Sequence, residues 1–225
     1  IKKKKINQMK HFSGHSKYIG KKIHTIDYDP LTNTVKYILL DGEFNIFKQI
    51  AVKTMYLPII HDFYVMNNGI VFIDSPFSID ITRHIPVSFK KKPTYIHVID
   101  GLYRTQYECE EPFYLFHYAD VKETEKTYEI LGSQYDSIDF DKMELNGKYR
   151  KISINKKSGK VFISKNRELE KMNLDFPIRW GDTIILRSIQ DRCITGFVVC
   201  RGLDIIKKMP MPENRFVCGE PAIIT

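Results

Sequence analysis

Tight-turn signals set between short β-branched and aromatic runs constrain this chain more than any other feature. Asp-Gly stands at 41–42 and 100–101, Asn-Gly at 146–147, Lys-Ser-Gly-Lys at 157–160 and Gly-Asp at 181–182. Such turns supply the positive φ that two-residue hairpins need, so each is read as joining antiparallel strands. The runs between them are VKYILL (35–40), NIFKQIAV (45–52), GIVFID (69–74), TYIHVID (94–100), PFYLFHYADV (112–121), YRKISIN (149–155), KVFIS (160–164), DTIILRSI (182–189) and GFVVC (196–200). Helical periodicity is nearly absent; the one candidate, NRELEKMNL at 166–174, is too short to organise a fold. Many short hairpins predict an all-β sandwich, barrel or propeller, and strand periodicity does not choose among the three.

With 225 residues, 43% of them apolar and 12% aromatic, the chain can bury a sizeable core as one large domain or two small ones. Its net charge of +8 comes from 35 basic and 27 acidic residues. Lysines are scattered along turns and strand edges, where they block edge pairing. The two lysine runs, 2–5 and 90–92, lack the glycine and aromatic interleaving of nucleic-acid motifs, so no nucleic-acid partner is expected. A basic rim able to touch anionic lipid headgroups is the other reading. Cys109, Cys193, Cys200 and Cys218 show no C-x-x-C spacing and follow no secretory segment. They read as free thiols in a reducing, cytoplasmic setting. No apolar run approaches the roughly 18 residues of a membrane span, which predicts a soluble or at most peripheral protein. The chain starts at Ile1 and ends in GEPAIIT, and both ends read as cut.

A weak internal period favours the propeller. Polar residues in apolar contexts recur at His15, His61, His117, Asp175 and Glu220, at gaps of 46, 56, 58 and 45 residues. A four-stranded blade takes roughly 40–50 residues, so this is about one such residue per blade. Innermost strands converge on a propeller's axis, where one inward residue per blade makes a ring. A ring of imidazoles backed by carboxylates is a metal site, and neutral imidazole suits iron, zinc and copper. His11, His24, His84 and His97 have polar or charged neighbours and read as surface or turn residues. Asp175 in NLDFP and Glu220 in CGEPAII are costly to bury unless paired, as carboxylates that orient imidazoles would be.

The segment HDFYVMNNGIVFIDSPF (61–77) resembles the conserved H-D-F segment of the carotenoid cleavage oxygenases, a family of iron(II) enzymes. GHSKY followed by IDYDPLTNTVKY resembles the family's A-H-P-K segment and the strands after it. PFYLFHYADVKE resembles its F-H-x-x-N-A segment, LDFP its E-F-P segment, and RFVCGEPAIIT its G-E-P segment. Five matches in the family's order cover nearly the whole chain. The resemblance implies a seven-bladed β-propeller with ferrous iron on its axis. About four blades would be present, and residues 1–225 would form a single partial propeller domain lacking the first blades and the terminal segment.

On that resemblance His15, His61 and His117 match three of four iron ligands, the fourth lying beyond Thr225, and Asp175 and Glu220 match two of the carboxylates that steady the rings. Asp175 stands where the family has Glu, one methylene longer, so its hydrogen bond to His117 is left to be made directly or through a water. Asp120 stands where Asn is usual, and Ser16 where Pro is. Phe63 and Phe116 are candidates either for an apolar wall near the iron or for ordinary core packing. The activity implied is cleavage of a C=C bond of a carotenoid, apocarotenoid or stilbene-like substrate by O2, with Fe(2+) as cofactor. The competing expectation is a catalytically inactive propeller that serves as a binding module.

Overall fold

A computed structural model describes Met9 and residues 13–80, 82–83, 85–89, 91–140, 142 and 145–212. Among them four four-stranded sheets follow one another along the chain. The first is a meander of β1 (Lys17–Ile19), β2 (Lys22–Asp29), β3 (Thr34–Leu40) and β4 (Ile46–Lys53). In the second, β5 (Tyr64–Met66) and β6 (Gly69–Asp74) precede a separate hairpin, β7 (Phe77–Asp80) and β8 (Ile85–Ser88). The sheet is then completed by β9 (Thr94–Asp100) and β10 (Tyr103–Cys109). The third contains β11 (Tyr114–Glu123), β12 (Thr127–Tyr135), β13 (Lys148–Asn155) and β14 (Val161–Ser164). The fourth contains β15 (Leu174–Trp180), β16 (Thr183–Gln190), β17 (Cys193–Arg201) and β18 (Asp204–Pro210). Every pairing is antiparallel, as the turn signals imply. The candidate helix at 166–174 contracts to a single 3-10 turn, Leu169–Lys171. Among the described residues no helix is long and apolar enough to cross a membrane.

The sheets stack face to face, and the period-2 alternation of strand side chains divides each run between two cores. All six residues of β6 are buried because both of its faces are covered. Ile70 and Phe72 join Ile26, Val35, Ile50 and Ile99 between the first and second sheets. Val71 and Ile73 join Leu115, Ile130, Ile152 and Ile154 between the second and third. A third core packs Leu131 and Tyr149 against Leu174, Leu186 and Val198, closing the third sheet on the fourth. Each fully buried Ile or Phe in these layers contributes about 2 kcal/mol, so relative blade positions are set by apolar packing along their full height.

Three expectations change. His97 is buried rather than surface-lying: it is 3% exposed on β9, stacked on Phe72 at 4.7 Å, with Nε2 3.4 Å from Asp74 Oδ2. A strand covered on both faces has no solvent side, so a polar residue in it turns inward to a polar partner. His24 lies within β2 rather than in a turn, half-buried, its Nδ1 2.7 Å from the Tyr37 hydroxyl. Asn146-Gly147 does not close a two-residue hairpin; it ends the long connection from β12 to β13. The Gly147 N–H donates to Asn173 Oδ1 and the Leu174 N–H donates to the Gly147 carbonyl. A Cβ at Gly147 would stand 2.5 Å from the Leu174 carbonyl oxygen, so glycine here serves a close backbone approach. His11, His84, Cys218 and Glu220 lie outside the described residues, and Cys109, Cys193 and Cys200 are free thiols.

Candidate metal centre

The first strand of each sheet, or the loop entering it, delivers one of the predicted polar residues to the common axis. His15 precedes β1, His61 precedes β5, His117 lies in β11 and Asp175 in β15. His117 is flanked by two register breaks, between Leu115 and His117 and between Tyr118 and Asp120. Asp175 opens another, before Ile178, where Phe176 adopts φ 52°. Bulges re-aim side chains out of strict alternation, which lets a histidine and a carboxylate leave the sheet faces and turn to the axis.

The three histidines converge. His15 Nε2 lies 2.9 Å from His61 Nε2, and ring centroids are 5.0 Å apart for His61 and His117 and 5.6 Å for His15 and His117. One nitrogen from each ring falls within 4.8 Å of the others. Metal–imidazole bonds of about 2.0–2.1 Å put neighbouring donors about 3–3.5 Å apart, a spacing that the His15–His61 pair at 2.9 Å already approaches. Three neutral imidazoles without thiolate form a set suited to iron, zinc or copper, so the residues fit a metal of this kind. His61 is exposed, leaving the cluster open on one side.

Carboxylates hold this arrangement from behind. Asp175 Oδ1 accepts from His117 Nδ1 at 2.9 Å with no intermediary, which fixes the tautomer whose Nε2 carries the donor lone pair. Its other oxygen, Oδ2, accepts from the hydroxyl of Tyr135. Burial first, and then the Asp175 charge, push the Tyr135 phenol far above its ordinary range. Asp62, beside His61, accepts from Lys17 Nζ at 2.6 Å and from the Phe63 N–H at 2.8 Å, tying β1 to the segment that carries His61. Asp120, further along β11 than His117, accepts from the Tyr64 hydroxyl at 3.0 Å and from Arg179 Nη1 at 2.5 Å. One carboxylate thereby links β5, β11 and β15, and burial together with Asp120 raises the Tyr64 phenol.

The two phenylalanines separate. Phe63 is 0% exposed in the core between the first two sheets, among Ile26, Val35 and Ile70. Phe116 stays beside the cluster, its ring 5.5 Å from His61 and 5.4 Å from Tyr135. A cavity of about 440 Å³ is lined by Asp175 and Tyr135 together with Phe176, Leu145, Asn173 and Ile189. Tyr135, Lys17, Tyr64 and Arg179 carried no signal in the sequence, because each acts through a partner distant along the chain.

Stacked antiparallel blades whose inner strands and entering loops bring three histidines together define a β-propeller with a cluster that could hold a metal ion. The chain belongs to the family described as Retinal pigment epithelial membrane protein, whose profile matches residues 1–183. No curated protein sequence matches it significantly. Among solved structures, a lignostilbene dioxygenase of Pseudomonas brassicacearum is similar at a TM-score of 0.70 and 13% identity, with 84% of this chain and 49% of that one covered. A cobalt-substituted apocarotenoid oxygenase of Synechocystis is similar at a TM-score of 0.67 and 13% identity, covering 84% and 48%. An ACO/RPE65 chimera gives a TM-score of 0.70 at 13% identity, again covering 84% and 48%. The fold is that of the carotenoid-oxygenase propellers, and the chain spans about half the length of the structures it matches.

Proposed function

We propose that this chain supplies three iron ligands and part of the substrate site of an oxygenase that cleaves a C=C bond of an apolar polyene or stilbene-like molecule with O2. The observation that carries this reading is the convergence of His15, His61 and His117 within 4.8 Å, in a family whose similar structures include an apocarotenoid oxygenase and a lignostilbene dioxygenase. Ferrous iron held by these three residues would supply the oxygen chemistry. The protein's part is position and dryness. Asp175 keeps the His117 ring in one tautomer and orientation, and the Lys17–Asp62 pair sets the spacing between the His15 and His61 segments. Phe116 gives the exposed His61 an apolar neighbour that excludes water from that flank. The alternative of an inactive binding module drew on the short side chain of Asp175, on the other departures from the family pattern and on the fourth ligand lying outside this chain; the direct hydrogen bond of Asp175 answers the first of these.

The test is to purify the full product of the coding region anaerobically with Fe(II), then measure bound iron and the O2-dependent loss of polyene or stilbene absorbance. The reading expects iron that is lost in His61→Ala and His117→Ala, and turnover that tracks it. Iron content unaffected by these substitutions would reject the site.

A further inference from the structure

We infer that Tyr135 is a positioning residue for the His117 side of this centre, through a buried chain His117–Asp175–Tyr135 drawn from three strands. The inference rests on the metal reading above. Asp175 is 3% exposed and accepts twice, Oδ1 from His117 Nδ1 at 2.9 Å and Oδ2 from the Tyr135 hydroxyl. The carboxylate belongs to β15, the imidazole to β11 and the phenol to β12. A carboxylate held at one oxygen can still rotate about its last side-chain bond; a second donor on the opposite oxygen stops that rotation and fixes the plane in which the imidazole must lie.

The phenol is itself held. Tyr135 is 1% exposed, in one apolar cluster with Phe77, Tyr114 and Ile138, and its ring lies 5.4 Å from Phe116. A buried hydroxyl without a partner costs about 1–3 kcal/mol, and hydrogen bonds to an ionised acceptor are among the stronger ones. The hydroxyl and carboxylate therefore satisfy each other, and the His117 Nδ1–H reads a rigid acceptor. The short aspartate is thus one half of a two-part device, with Tyr135 supplying the backing that a longer side chain would obtain by filling the space itself.

Tyr135→Phe removes the hydroxyl and keeps the ring. Nitrogen-15 spectra of histidine-labelled, metal-free protein are expected to show His117 as one Nδ1–H tautomer in the wild type and as a mixture in Tyr135→Phe. Co(II) affinity, followed by visible absorption, is expected to fall about ten-fold. Adding Asp175→Glu to Tyr135→Phe is expected to restore both readouts, because the longer carboxylate takes the vacated space. An unchanged tautomer in Tyr135→Phe would overturn the inference whether or not metal binds. A loss that Asp175→Glu does not rescue would show general loosening of the core and overturn it as well. Failure of the wild type to bind Co(II), or tight binding by His61→Ala, would strike the metal reading instead, and the metal-free spectra would still decide the role of Tyr135.

Discussion

Asp175 reaches His117 directly, its Oδ1 2.9 Å from Nδ1, although the resemblance puts a longer glutamate at this position. The break in register after Asp175 and the positive φ of Phe176 change the course of β15 at this point. Asp175→Asn tests what the charge contributes. An amide has one oxygen to offer where the carboxylate offers two, so either His117 or Tyr135 loses its acceptor. A buried donor left without a partner costs about 1–3 kcal/mol. Urea unfolding should show a loss of that size, and a Co(II) titration a fall in affinity of at least ten-fold.

Asp120 should matter for blade alignment. It is 4% exposed and holds both Tyr64 and Arg179. Asp120→Asn retains an acceptor for the phenol and loses the ion pair. Because Arg179 is 46% exposed, solvent screens that pair, and the expected cost is about 1 kcal/mol. Asp120→Ala leaves the half-buried Tyr64 hydroxyl without its acceptor while Arg179 turns to solvent, and should cost about 1–3 kcal/mol, read as a lower urea midpoint with an unchanged m-value.

Gly147→Ala should disturb the site from outside it. The new methyl would meet the Leu174 carbonyl oxygen at 2.5 Å, and Leu174 immediately precedes Asp175. Overpacking of this kind costs about 1–3 kcal/mol. The strand that has to move carries the carboxylate, so Co(II) affinity should fall together with stability. Gly159→Ala is the control, since nothing lies within 4 Å of a Cβ there and its φ of 72° strains only the β13–β14 turn; it should leave metal affinity unchanged.

His24 predicts a pH effect. Burial, and secondarily the charge of Lys22, lower its pKa below the ordinary 6.5. The unfolded chain therefore binds a proton at His24 before the folded protein does, and stability rises with pH across that interval. The contribution is complete above about pH 6.5 and is lost as pH falls toward the folded value. In metal-free protein His24→Gln should flatten this part of the stability profile relative to wild type, as measured by chemical unfolding between about pH 7 and 5.

What could be read from the residues follows a physical division. GIVFID announces itself as a strand because it is covered on both faces and so is apolar at almost every position, and TYIHVID because β-branched and aromatic residues dominate it although Thr94 and His97 are buried there. ILGSQY, the inner end of β12, escapes notice because Gly132, Ser133 and Gln134 break the apolar run, although all three are buried. The histidines are legible because metal-type clustering leaves a one-per-blade spacing along the chain. Tyr135 leaves none: its meaning depends on Asp175, 40 residues away. Likewise His97 looks polar among its neighbours in the chain but takes its surroundings from Phe72 and Asp74 on another strand.

His15 and His61 come from the loops entering the first and second sheets and His117 from the third, and among the described residues no backbone hydrogen-bond ladder joins those sheets. Anything that grips all three rings at once is consequently a staple across two blade interfaces. Its binding free energy is added to inter-blade cohesion by mass action, about 2.7 kcal/mol at a free concentration one hundred times its dissociation constant. The cluster would then act as a rivet for the propeller, and slippage between neighbouring sheets would be felt first as a loosening grip on the metal.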